Sequence, residues 1–129
     1  MKLINVETYH MPIKMDDLIK FGGSVYPSVV GEMADLLRTS FCEDEKVSDV
    51  ALAHFYGPCD ENGDEPDVIF AETLSFADGD HTHETIEKFQ SSWANLGNVH
   101  ENPRYQNFCA GSLSMWRDGI LTVLWFIKE

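Results

Sequence analysis

Asp118-Gly119 lies between two apolar runs, and this dipeptide constrains the fold more than any other feature of the chain. Aspartate followed by glycine supplies the left-handed backbone of a two-residue type I′ turn, whose twist matches the strands it joins. Such a turn sets a register in which Arg117 meets Ile120, Met115 meets Thr122 and Leu113 meets Leu124. One face of the ribbon then carries Trp116, Leu121, Val123, Trp125 and Ile127; the other carries Leu113, Met115, Ile120, Leu124 and Phe126. Both faces are apolar and both need cover. Helices should supply one cover, and further protein of the same chain or a second subunit the other.

The elements upstream follow from periodicity. Leu3 to His10 reads as a first strand that Pro12 ends, because proline cannot donate to a ladder. From Ser24 and Pro27 to Phe41, the residues Val29, Val30, Met33, Leu36, Leu37 and Phe41 recur at helical spacing. In Val47 to Tyr56, Val50, Leu52, His54 and Tyr56 share one face of a strand, with Ala51, Ala53 and Phe55 on the other. Asp67 to Phe76 is the next strand, with Glu72 among Val68, Phe70, Leu74 and Phe76 on one face. A second helix starts near Asp80 or Thr82, buries Ile86, Phe89, Trp93 and Leu96, and stops at Gly97. The order strand, helix, strand, strand, helix, strand, strand is the split βαβ order of ferredoxin-like α/β sandwiches with one added strand. The expectation is a single α+β domain over residues 1–129, with two helices on one face of an antiparallel sheet. The exposed second face would favour a homo-oligomer.

Charge bounds the partners. The formal net charge is -13, and its distribution matters more than its total. From Glu43 to Glu87 there are fourteen acids against one base, Lys46, whereas the rest of the chain has eight of each. A surface of that kind repels phosphate backbones and anionic lipid, so neither direct nucleic-acid binding nor membrane binding is expected. Basic proteins, cationic small molecules or metal ions suit it better. The first residues contain no apolar run of signal-peptide length, and Cys42, Cys59 and Cys109 form no C-x-x-C pair. Free thiols and a cytoplasmic location are the expectation. With no Walker A loop and no G-x-G-x-x-G, no cofactor is expected.

Three groups of residues could carry chemistry. In the stretch from Asp78 to Glu84, His81 and His83 with nearby carboxylates offer ligands suited to a divalent transition metal, although a capping turn with solvated histidines uses the same residues. The loop from Asp60 to Glu65 resembles a calcium loop at alternate positions, but it has Glu65 where glycine must allow the sharp turn. Glu72 on an apolar strand face has to be paired, protonated or turned to a pocket, since burying a lone carboxylate is costly. As an acid/base or a ligand for a cation it would work with His54 and Tyr56 of the neighbouring strand.

Two functions compete on these grounds. The first is an acidic inhibitor of the immunity-protein or DNA-mimic type, blocking a basic nucleic-acid-handling partner. It would present Asp60, Glu61, Asp64, Glu65, Asp67, Asp78 and Asp80 to that partner. The second is a small oligomeric enzyme acting on a cationic or metal-bound small molecule at a subunit interface, through Glu72, His54 and Tyr56.

Overall fold

A computed structural model of the chain describes residues 1–10, 49–57, 68–76, 80–99, 106–117 and 119–129. They form one five-stranded antiparallel sheet and one helix. The strands are β1 (Lys2–His10), β2 (Asp49–Tyr56), β3 (Val68–Phe76), β4 (Ala110–Arg117) and β5 (Ile120–Ile127). The helix, α1 (Thr82–Val99), lies between β3 and β4 in the chain. Across the sheet the order is β1-β5-β4-β2-β3.

The terminal hairpin forms as its turn dictates. Arg117 pairs with Ile120, Met115 with Thr122 and Leu113 with Leu124. Gly119 takes φ 82°, a left-handed conformation that a side chain would strain. Beyond the hairpin, the ladder continues through backbone bonds from Cys109 N to Tyr56 O at 2.8 Å and from Lys128 N to Cys109 O at 2.9 Å.

This topology corrects the ferredoxin-like expectation. A split βαβ sandwich needs its first strand inside the sheet, in a parallel pair with a later strand. Here β1 lies at an edge and runs antiparallel to β5, with Val6 opposite Leu124 and Tyr9 opposite Leu121. The free edge of a hairpin strand that is apolar on both faces captures β1, and every pairing becomes antiparallel. Among the described residues a single helix packs on the sheet, not two. The helix expected from Ser24 to Phe41 lies outside those residues.

The sheet face under α1 holds the core. Ala51, Ala53 and Phe55 of β2, Leu74 of β3 and Leu113 of β4 are buried against Phe89 and Leu96 of α1 and against Phe108. Ile86 and Trp93 complete the helical stripe expected from the sequence. Phe55 is the centre, with rings of Phe70, Phe89, Trp93 and Phe108 at 5.9, 5.6, 6.1 and 5.7 Å between centroids. Each such pair adds about 0.5–1.5 kcal/mol beyond the area it buries.

The opposite face is also buried within the one chain. Val50, Leu52, His54, Tyr56, Trp116, Leu121 and Val123 are all withdrawn from solvent. The doubly apolar hairpin therefore needs no second subunit to cover these residues. No helix among the described residues is long and apolar enough to cross a membrane.

Candidate functional site

The start of α1 is set by side chains. Asp80 Oδ1 accepts hydrogen bonds from Thr82 N at 3.1 Å and Thr82 Oγ1 at 2.7 Å, satisfying a helix N–H that has no partner in the helix. Its other oxygen holds Arg117 at 2.6 Å, so one carboxylate ties the helix start to the end of β4. The two Thr82 donors, with Arg117 behind them, hold the Asp80 carboxyl at a pKa of about 2. Thr85 N then closes the first helical bond on the His81 carbonyl at 2.8 Å. The helix runs through Val99, two residues past the expected stop at Gly97.

Anchored in this way, α1 lies alongside the edge strand β3 and leaves an open groove of about 560 Å³ between them. Glu72 and Leu74 of β3 line one side; Glu84, Glu87, Lys88 and Ser92 of α1 line the other. Glu72 is half-buried and accepts a hydrogen bond from Ser92 Oγ. Its second oxygen has no partner among the described residues. Lys88 Nζ donates to the Leu74 carbonyl at 3.3 Å, which directs the one ammonium among the described lining residues onto the strand backbone. Three carboxylates and a committed lysine leave a lining of negative charge. Cationic groups with extended backbone suit it, because among the described residues β3 also has a ladder partner on one side only.

The expected trio of Glu72, His54 and Tyr56 is divided by the sheet. Glu72 is paired with Ala53 and His54 with Ala71, and paired residues of antiparallel strands point to the same side. Glu72 therefore stands on the helix face, and His54 and Tyr56 stand on the other. There they join a buried polar row. Tyr56 Oη and Ser112 Oγ are 3.3 Å apart, and Ser112 is the register partner of His54. Ser114 Oγ and the indole N–H groups of Trp116 and Trp125 are buried there with no hydrogen-bond partner among the described residues.

The two histidines go to separate carboxylates. His81 Nδ1 lies 3.5 Å from Glu84 Oε2, and His83 Nε2 lies 3.0 Å from Glu87 Oε1. These are i,i+3 and i,i+4 contacts at the start of α1, and no cluster of three potential metal ligands occurs among the described residues. Of the expected partner-binding acids, Asp80 is described and is occupied by the helix start. Asp60, Glu61, Asp64, Glu65, Asp67 and Asp78 lie outside the described residues.

Sequence reasoning missed Ser92 and Lys88, the two helical residues that engage β3. Both occupy the polar side of an amphipathic helix, and nothing in a single chain says which strand edge that side meets. Neither a family model, nor a curated protein, nor a solved structure matches the chain.

Proposed function

We propose that the protein is an acidic binding protein that takes a basic segment of a partner protein into the β3–α1 groove. Basic surfaces of this kind belong typically to proteins that handle nucleic acid, and covering one would block its use. The observation that carries the reading is the groove itself: Glu72, Glu84 and Glu87 line it, and Lys88, the one lysine among its described lining residues, is turned onto the Leu74 carbonyl. The excess of acids from Glu43 to Glu87 supports the same reading, since such a field speeds encounter with a cationic partner.

An extended lysine- and arginine-rich peptide, titrated by fluorescence anisotropy, tests it. The peptide should bind in low salt, and Glu84→Lys with Glu87→Lys should weaken binding at least about tenfold, because two attractive contacts become repulsive. Glu129→Lys, set beside Glu84→Lys alone, makes the same change of net charge away from the groove. Equal weakening by these two variants would sink the groove reading and leave only a diffuse electrostatic attraction.

A further inference from the structure

The other edge of the sheet carries a different surface. Strand β1 is nine residues long, contains no proline and, among the described residues, has a ladder partner, β5, on one side only. Leu3, Ile4 and Val6 stand 49%, 54% and 52% exposed along it. Soluble proteins usually shield such an edge with charge, proline or a short strand, because its free N–H and C=O groups template pairing with another chain. Here three half-exposed aliphatic residues follow one another within four positions. The question is what fits them.

The pattern of the strand is complementary to itself. A register shift between Leu3 and Asn5 inserts one extra residue opposite β5. Lys2 and Glu7 are five apart and in regular extended backbone would point to opposite faces. The extra residue brings them to the same face, since Lys2 is paired with Ile127 and Glu7 with Val123, both on the side away from α1. It likewise brings Leu3, opposite Phe126, and Val6, opposite Leu124, together on the helix side.

We propose that a second copy of this chain pairs with the free edge of β1, antiparallel and about a two-fold axis between Ile4 and Asn5. In that register Lys2 of each copy meets Glu7 of the other, and Leu3 meets Val6. Face parity decides against the neighbouring alternatives. Centring the pair on Val6 would set Leu3 opposite Tyr9, which lies on the other face, and centring it on Glu7 would set two carboxylates against each other. Glu7 is held in place on its face of the strand by two neighbours. Tyr9 Oη donates to it at 2.5 Å and Asn5 Nδ2 at 3.2 Å, while Lys2 has no partner among the described residues. An isologous contact of this kind closes at two copies and joins two five-stranded sheets into one.

The test is a charge swap read by sedimentation velocity over a wide range of protein concentration. The unmodified chain should show a reversible dimer. Glu7→Lys sets lysine against lysine and Lys2→Glu sets glutamate against glutamate, so each variant alone should dimerise at least about tenfold more weakly. An equimolar mixture of the two restores Lys2 opposite Glu7 on one side and the reversed pair on the other, so the mixture should dimerise as the unmodified chain does. Circular dichroism of each variant separates a lost interface from a lost fold, and the mixture reports only on chains that are folded. A chain monomeric at every concentration would overturn the proposal. So would a dimer indifferent to both substitutions, or variants whose mixture stays monomeric.

Discussion

Asp80 shows how much one side chain can organise. Its carboxylate caps α1 through Thr82 and holds Arg117 at the end of β4, so the helix start and the hairpin are tied at one exposed point. The two Thr82 bonds and the Arg117 contact favour the charged form, and the pKa falls to about 2 from the ordinary 3.8. A group depressed in the folded state stabilises above its unfolded value, and that contribution is lost as pH falls through the folded value. The stabilisation should therefore be complete above about pH 4 and should vanish by about pH 2. Asp80→Asn mimics the protonated carboxyl. The melting temperatures of the two proteins, followed against pH, should differ by a constant amount near neutrality and converge below pH 4. Parallel curves down to pH 2 would show that the charge of Asp80 contributes nothing to folding. At the same scale, Glu72 illustrates what a residue type alone leaves open. Its place on an apolar strand face demanded a partner, and Ser92 supplies one from a helix twenty positions away.

At the scale of elements, α1 approaches β4 closely at Gly111. A β-carbon added to Gly111 would lie 2.8 Å from Trp93 Cζ3 and 3.2 Å from the His54 carbonyl oxygen. The carbonyl belongs to the sheet ladder and cannot move, so the indole must, and it sits in a cluster with Phe55, Phe89 and Phe108. Gly111→Ala should cost about 1–3 kcal/mol, the usual penalty of overpacking, as a lower midpoint in urea unfolding. An unchanged midpoint would mean that the helix stands farther from the sheet. Elements of this kind were legible wherever their signal is local. The Asp118-Gly119 turn, the stripe of Ile86, Phe89, Trp93 and Leu96, and the two faces of β2 all follow from spacing within a few residues. The partner of β1 did not follow. Its pattern shows that it pairs, but β5 is more than a hundred residues away and any edge with matching parity would accept it. The divided trio of Glu72, His54 and Tyr56 has the same origin. Alternation along β2 was read correctly, whereas register shifts between Ala51 and Leu52 and between Phe55 and Tyr56 break the alternation expected of β3: Val68, expected on the face of Glu72, pairs with Tyr56 on the other one.

Over the whole molecule, the sheet presents two unlike edges. The β3 edge is bordered by Glu72, Glu84 and Glu87 and suits a cationic chain. The β1 edge is aliphatic, with one lysine and one glutamate placed to match each other across an axis. The three strands between them hold the two surfaces apart, so a chain paired through β1 still offers β3. High net charge opposes association of identical chains, and that opposition is screened by salt. Binding of a basic partner weakens with salt for the complementary reason. Entry of cationic segments into the groove is distinct from mere attraction to an acidic surface. Backbone amide shifts recorded during titration with the lysine- and arginine-rich peptide test this most directly. The largest changes are expected at Glu72, Thr73 and Leu74 and along α1 from Glu84 to Asn95, with Glu7 and Glu129 unmoved. Small changes spread evenly over every acidic residue, with none concentrated between β3 and α1, would contradict it.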